Sequence, residues 1–447
     1  LSDRGATRRP VDATVVVPGS KSLTNRHLAI AAIAAGESTL EGALACDDCD
    51  RLVAALGRFG IAIRSEASRL VVNGGAGRVP RGAEVDLGDG GTPARFSIAL
   101  ATLAAGESLV DGSPRMRERP VAEGVAILRE LGAGIELAAG DRLPARIRGG
   151  GLGGGAVEVG RTASSQSISA ALLVAAASER GIDLRFLARP TSGSYVALTV
   201  AALRAWGVRV DVDAEADAPR RISIAPQPIA ARTIAIEPDA SSAVFAAAAA
   251  VIAGGSIRLP GLPLGSMQPD ARFLRMLDRY GATVADDGAG GTRVASPGGV
   301  RAIEADLSDC PDAAVLAMAM AALADGPSEF TGLATLRVKE SDRIEAVAAG
   351  LRGLGCLVGA GPDRVRIVPR PDASAPVSID PRNDHRVAMA FAIVGLVRPG
   401  IAVSDRGCVA KSWPGFWDAL AAIEGSRAAS SPADLPPRAI SRENPPR

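Results

Sequence analysis

The sequence predicts an α/β protein of six repeated units built on mixed sheets, divided three and three. Three observations carry that prediction. One local pattern comes round six times along the 447 residues, at intervals of about seventy: a polar cluster opens a small-residue helix, and an apolar strand follows. Second helices recur between these, each stopped by a glycine ahead of a further strand. Short β-rich runs fill the intervals.

The first helices open, in order, at Ser20-Lys21-Ser22, Gly91-Thr92, Ser164-Ser165-Gln166, Asp239-Ala240-Ser241-Ser242, Pro311-Asp312-Ala313 and Asn383-Asp384-His385-Arg386. Each runs into an Ala-rich stretch, and four then pass through Ala-Gly-Glu, Ala-Gly-Gly or Ala-Asp-Gly into a strand. The second helices are expected over Asp50 to Phe59, Val121 to Leu131, Leu198 to Trp206, Ala271 to Tyr280 and Ile344 to Leu354, closed by Gly60, Gly132, Gly207, Gly281 and Gly355. Strands are expected at Thr14 to Val17, Arg69 to Val72, Ser108 to Val110, Ala156 to Val159, Val208 to Val212 and Arg364 to Val368. Six units exceed what one core holds, so a division falls between Pro226 and Pro238, ahead of the fourth unit. The segment from Ser426 to Arg447 is rich in Ser, Pro and Arg, lacks apolar periodicity, and is expected to be a disordered tail.

Each opening cluster sets polar or charged side chains on a helix N-terminus. The first N–H groups there are unpaired and the macrodipole is positive, so the end attracts anions. Convergence of the six ends would make a site for anionic ligands.

Composition narrows the classes. Lys+Arg is 50 and Asp+Glu is 49, so no global basic field serves nucleic acid or a membrane, and any anion site is local. Aromatic residues at 3% weaken a base-stacking reading. The five cysteines, Cys46, Cys49, Cys310, Cys356 and Cys408, are an odd and sparse set that argues for a reducing compartment. Cys46-Asp47-Asp48-Cys49 spells C-x-x-C, but without a second pair or a nearby histidine it reads as two incidental thiols at a helix start. Two histidines, His27 and His385, exclude a His-rich metal site. Residues 1–10 show no apolar leader, and each Ala-rich run is broken before about eighteen apolar residues, so a cytoplasmic protein is expected.

Several motifs carry chemistry. Val15-Val16-Val17-Pro18-Gly19-Ser20-Lys21-Ser22 ends like a phosphate-binding loop but lacks its upstream glycine, which argues against a nucleotide cradle. Ser22 and Arg26 share a helix face one turn apart. Arg115-Met116-Arg117-Glu118-Arg119-Pro120 reads by itself as a solvated charge run. In Lys339-Glu340-Ser341-Asp342-Arg343 two cations stand four apart and share a helix face, where like charges repel and a bound dianion would relieve the repulsion. Asp384-His385-Arg386 and Ala410-Lys411-Ser412-Trp413-Pro414 add cations near turn or helix starts.

Taken in order, G-S-K-S-x-x-N-R, G-G-T, R-M-R-E-R-P, S-S-Q, P-D-A, K-E-S-D-R, N-D-H-R-x-A-M and A-K-S-W-P closely resemble the 5-enolpyruvylshikimate-3-phosphate synthase family, from about Pro18 to about Leu420. The resemblance implies an inside-out α/β barrel of two domains, each of three βαβαββ units, with helix N-termini facing the cleft between them. The domains would be 20–237 and, discontinuously, 1–19 with 238–425. It implies transfer of the enolpyruvyl group of phosphoenolpyruvate to the 5-hydroxyl of shikimate 3-phosphate with release of phosphate, on the way to chorismate. No cofactor or metal is expected, and the chain is expected to be a monomer with small-molecule partners alone. Ser22, Arg26, Ser164, Ser165, Gln166, Ser192, Tyr195, Asp312 and Lys339 match the shikimate-phosphate positions, and Thr335 is expected to bind substrate beside them although it departs from the family residue. Lys21, Gly91 with Thr92, Arg119, Gln166, Arg343, Arg386 and Lys411 match the phosphoenolpyruvate positions. Asp312 matches the hydroxyl-side base, and Glu340 with Lys21 or Lys411 the groups of proton transfer. His385 is a further catalytic candidate, with a structural hydrogen bond at the helix start as its alternative.

The chain departs from the family pattern in places. Asp89 stands where asparagine is usual, and its charge should weaken anion binding unless it is turned away or paired. Phe96 replaces a common proline, and Thr335 stands where asparagine often contacts the ring. Gly91 is retained, which in the family goes with room for glyphosate; Asp89 and Phe96 leave that sensitivity open. Two other readings stand beside the main one. The sister enzyme acting on UDP-N-acetylglucosamine expects a cysteine in the loop Asp111 to Met116, which has none. A catalytically inactive anion-binding relative is the other, because of Asp89 and Thr335.

Overall fold

The computed structural model describes residues 10–66, 68–215, 218–370 and 375–427. Six helices open the six units: α1 (Lys21–Ile33), α2 (Gly91–Ala101), α3 (Ser165–Val174), α4 (Ala240–Ala253), α5 (Ala314–Met320) and α6 (His385–Gly395). Polar caps begin four of them: Ser20, Ser164, Asp239 and Asp384 each accept a backbone N–H from the first turn. The five glycines expected to stop the second helices all take positive φ, from 79° to 97°.

The second unit shows the plan. Strand Glu84–Asp86 lies parallel to Glu107–Asp111, which pairs antiparallel with Arg142–Arg148, itself antiparallel to Gly134–Ala138. The spatial order first, second, fourth, third recurs in all five four-stranded sheets. The sixth unit stops at two parallel strands, Val377–Ile379 and Ile401–Val403. Helix Phe416–Ser426 follows and packs on strand Val11–Thr14, where the Asp12 N–H donates to Ser426 Oγ at 3.1 Å. Residues 428–447, nearly all of the segment expected as a tail, lie outside the described residues.

Two units take their first strand from elsewhere in the chain. Thr233–Ala235 completes the first unit beside Ala35–Glu41, and Val11–Thr14 completes the fourth beside Gly255–Leu259. The chain therefore crosses twice between the first three units and the last three, and the crossings pair at Gly19 and Pro238. Ser20 N–H donates to Glu237 O and Asp239 N–H to Pro18 O, both at 2.8 Å. A Cβ at Gly19 would stand 1.8 Å from the Gly42 carbonyl oxygen, so only glycine fits this approach. The crossing also corrects the first strand, which spans Val11–Thr14 rather than Thr14 to Val17. Val15 N–H still reaches Arg258 O at 2.8 Å, but Val16 is 77% exposed as the chain leaves the sheet. The fourth unit's second helix is likewise shorter than expected, Ala271–Met276, because i→i+3 bonds take over at Leu277 and Tyr280.

Buried apolar residues form two large clusters that follow the same division. One runs from Leu28 to Ile229; the other joins Val11, Val15 and Val17 to residues between Ala240 and Ile423. Beside the first cluster, buried His27 accepts the Trp206 indole N–H at Nδ1, 2.9 Å. Burial and then the Arg26 charge lower the His27 pKa from 6.5 to about 4. The unfolded chain therefore takes up this proton first, and stability falls as pH drops through that window, by about 3 kcal/mol in full. Urea midpoints across the window should decline, and more steeply for wild type than for His27→Gln. Equal slopes would show that His27 is not the group responsible.

Candidate active site

Every residue expected in the site except Lys411 and His385 lines one cavity between the two sets of units. The space between its walls, open solvent at the mouth included, is about 760 Å³. Helix starts supply most of the wall: Lys21, Ser22 and Arg26 from α1, Gly91 and Thr92 from α2, Ser164 to Gln166 at α3, Asp312 just ahead of α5, and Arg386 on α6. The α4 start does not reach the cavity. Its cap Asp239 instead joins the crossings, accepting Lys21 N–H at 2.9 Å and Ser242 N–H at 2.7 Å.

Seven cationic and three acidic side chains line the cavity, an excess of four positive charges in a chain whose net charge is +1. Asp312 is the hub of one wall. It accepts from Arg343 at 2.7 Å, Arg386 at 3.0 Å, Lys339 at 3.4 Å and the Tyr195 hydroxyl at 3.0 Å. Burial would raise its pKa, but the charges of Arg386, Lys339 and Arg343 outweigh that and hold it well below the usual carboxylate range. Lys339 and Arg343 do not share a helix face as the four-residue spacing implied. Lys339 follows a 3₁₀ turn, Ala334–Val338, the helix starts at Arg343, and Asp312 lies between the two cations.

Arg343, 1% exposed, also donates to Glu340 and to the α6 cap Asp384, both at 2.8 Å. Glu340 further faces Arg119 at 3.9 Å. Burial opposes its charge, yet Arg343, Arg119, Lys411 and Lys21 hold it well below the normal range. A second ion cluster joins Asp48 to Lys21 at 2.9 Å and to Lys411 at 3.5 Å. Burial would strip the Lys21 proton, but Asp48 and Glu340 more than offset it and Lys21 holds its proton above the ordinary lysine range.

Arg26 is buried between the rings of Phe96 and Tyr195, 5.8 and 5.9 Å from their centroids, and donates to Thr199 at 2.8 Å. Ser192 caps helix Gly193–Ala205 in a left-handed conformation, φ 49°, the kind of strained backbone that gathers at functional sites. Several buried polar atoms around the cavity have no protein partner among the described residues: Arg119 Nε, Arg386 Nε, Arg95 Nε and Thr335 Oγ1. Such groups are costly unless a ligand or water meets them.

Residues 6–420 match the family described as EPSP synthase (3-phosphoshikimate 1-carboxyvinyltransferase). This chain belongs to that family. The 3-phosphoshikimate 1-carboxyvinyltransferase of Nostoc sp. is 38% identical over 416 residues, 92% of this chain and 96% of that protein. The enzyme of the same name from Syntrophobacter fumaroxidans is 38% identical over 411 residues, covering 91% and 96%. A solved structure of EPSP synthase from Acinetobacter baumannii superposes with a TM-score of 0.76 at 26% identity, over 92% of this chain and 95% of that one.

Against the family pattern, the concern over Asp89 has a structural answer. Its carboxylate accepts the Ser113 hydroxyl and, at 3.2 Å, the Asn383 amide, so the charge is engaged from both halves of the molecule. Its backbone carbonyl accepts from Lys411 at 3.1 Å and Arg119 at 3.3 Å. Lys411 does not line the cavity but stands 3.5 Å from Asp48, which does. His385 is buried, its pKa is pushed well below 6.5 by burial and by Arg386, and neither ring nitrogen has a hydrogen-bond partner among the described residues. The helix-start hydrogen bond considered for it is therefore not formed.

Two charged lining residues, Arg95 and Asp48, are not among those expected from the sequence. Arg95 donates to Gln166 at 2.9 Å and to Gly91 O at 3.0 Å, with its pKa lowered to about 9 by burial and then Arg119. An arginine inside an otherwise small and apolar helix was the available signal. Asp48 was hidden in the Cys46 to Cys49 run, where the thiols drew the attention; all five cysteines are buried and free.

Proposed function

We propose that the chain transfers the enolpyruvyl group of phosphoenolpyruvate to the 5-hydroxyl of shikimate 3-phosphate, with release of inorganic phosphate. The observation that carries this is the four-charge cationic excess of one cavity built from helix starts of both halves. Each substrate bears a phosphate and a carboxylate, and fixed cations with unused N–H groups suit both.

In this reading Ser22, Arg26, Ser164, Ser165, Gln166, Ser192, Tyr195, Thr335 and Lys339 hold shikimate 3-phosphate. Lys21, Gly91, Thr92, Arg119, Gln166, Arg343, Arg386 and Lys411 hold phosphoenolpyruvate. The 5-hydroxyl oxygen bonds to the substituted enol carbon, and its proton passes to Asp312. A proton added to the methylene carbon gives a tetrahedral adduct. Loss of a methyl proton with departure of phosphate then restores the double bond. The cluster of Lys21, Glu340 and Lys411 supplies and takes back that proton and balances the leaving phosphate. Asp312 is a weak base by pKa, so its contribution is short-range orientation of the hydroxyl as well as proton acceptance. His385, uncharged and behind the lining, keeps at most a supporting part.

The two apolar clusters and the paired crossings support domains 20–237 and 1–19 with 238–425 in an inside-out α/β barrel, with βαβαββ units throughout except the sixth, which has two strands. Action as a cytoplasmic monomer belongs to the same reading.

One assay separates the alternatives. Phosphate release from phosphoenolpyruvate should require shikimate 3-phosphate. Release driven by UDP-N-acetylglucosamine would support the sister activity, and folded protein inactive with both would leave an anion-binding relative. A further expectation concerns Gly91, where a Cβ would stand 2.5 Å from the Arg119 guanidinium. Gly91→Ala should displace Arg119 and raise KM for phosphoenolpyruvate by about tenfold, with a smaller change in kcat. Steady-state kinetics with varied phosphoenolpyruvate check this, and an unchanged KM would count against Arg119 as its ligand.

A further inference from the structure

We propose that Arg115 is a positioning residue that clamps the Lys339–Glu340 backbone across the two halves of the molecule. Arg115 lies in the short helix Pro114–Glu118, on the side of the first three units, and its side chain is 37% exposed. Its Nε donates to the Glu340 carbonyl at 3.1 Å and one terminal nitrogen to the Lys339 carbonyl at 3.0 Å. The other terminal nitrogen is held by Glu118 at 2.9 Å. All three nitrogens are engaged, two of them on successive carbonyls of the opposite half.

Those carbonyls belong to residues whose side chains work in the cavity. Lys339 reaches Asp312 at 3.4 Å, and Glu340 reaches Arg343 at 2.8 Å. They lie between the 3₁₀ turn ending at Val338 and the helix starting at Arg343, so no helix fixes them. Arg119, one turn beyond Arg115, faces the Glu340 carboxylate at 3.9 Å. The arginine loop therefore grips Glu340 by backbone and side chain together. A rigid planar fork can span two neighbouring carbonyls; a single ammonium cannot. The contact forms only when the halves meet, which couples their approach to the placement of Lys339 and Glu340. The proposal rests on the functional reading above, in which these two residues serve the reaction.

Partly buried hydrogen bonds of this kind each add only modestly to stability, whereas misplacing reacting groups by about 1 Å costs about 10²-fold in rate. Arg115→Ala should therefore lower kcat by about 10- to 100-fold while the melting temperature stays close to wild type. Arg115→Lys should recover only part of the rate. Guanidinium chloride in the tens of millimolar should accelerate Arg115→Ala several-fold and leave the wild type unaccelerated. A kcat for Arg115→Ala within about twofold of wild type would overturn the proposal, since misplacement alone is worth far more. So would a rate loss that tracks unfolding and is not restored by guanidinium. Wild-type turnover is measured alongside, so failure of the functional reading (no wild-type turnover) is told apart from failure of the clamp (equal turnover).

Discussion

Asp312→Ala lowers kcat by about 10²–10⁴-fold while shikimate 3-phosphate still binds, the loss expected for a group that takes a proton in the transition state. The substitution removes the one carboxylate shared by Arg343, Arg386 and Lys339. The three cations are left facing the cavity, where an anionic ligand can partly replace the missing charge, so binding falls far less than turnover. Asp312→Asn separates the two contributions. It keeps an acceptor for the Tyr195 hydroxyl but cannot take the proton. Titration calorimetry with shikimate 3-phosphate and steady-state rates on both variants check the split. Retention of more than about a tenth of the wild-type rate by Asp312→Ala would contradict the base assignment, because general-base groups are worth more than that.

Arg343→Met carries the largest expected loss of stability, about 3–5 kcal/mol, since breaking a buried ion network strands its remaining charges. Arg343 is almost wholly buried and meets Asp312, Glu340 and Asp384, the last of which is fully buried. Its three nitrogens point to three different carboxylates, so Arg343→Lys satisfies at most part of the set and should also be destabilised. Two of the carboxylates sit in the proposed site and the third caps α6 beside Arg386, so lost stability and lost activity should appear together. Urea unfolding at neutral pH measures the first. A change under about 1 kcal/mol for Arg343→Met would mean that the network does not hold the site together. Relief at low pH is expected, since protonating the stranded carboxylates removes the charge that makes the variant unstable.

How much of this was legible in the sequence follows from the range of the interactions. Helix ends are local events, so Ser20, Ser164, Asp239 and Asp384 could be read as caps, and Gly60 or Gly355 as stops, from a few neighbouring residues. The repeat itself was legible because each unit repeats those local signals. The exchange of first strands was not. Val11–Thr14 and Thr233–Ala235 each pair with a distant unit, and residue periodicity does not say which sheet a strand joins; only the family resemblance pointed there. Within the site, Lys21, Arg26 and Arg386 were legible because each stands in or just after a polar cluster at a helix start, whereas Arg95 stands alone in an otherwise small and apolar helix. Their partners were harder. Asp48 reads as one acid among several at a helix start until Lys21 and Lys411 are brought beside it. Arg115 reads as a solvated charge because the carbonyls it grips lie more than two hundred residues away.

The same range explains the misreading of Lys339 and Arg343. Spacing by four suggested one helix face, but the 3₁₀ turn ends at Val338 and Asp342 caps a new helix, so the backbone breaks between them. Their repulsion is answered by Asp312 of the protein itself rather than by the bound dianion expected from the spacing. In the proposed reading the same carboxylate receives the hydroxyl proton.

One cavity, built from the helix starts of both halves, is proposed to join two anionic substrates. Phosphorus NMR of the purified protein with phosphoenolpyruvate and shikimate 3-phosphate together tests it directly, with mass analysis of the product. Inorganic phosphate should appear one for one with loss of both substrates, and the product should be shikimate 3-phosphate carrying one enolpyruvyl unit. Phosphate released without consumption of shikimate 3-phosphate, or both substrates left unchanged by folded protein, would contradict it.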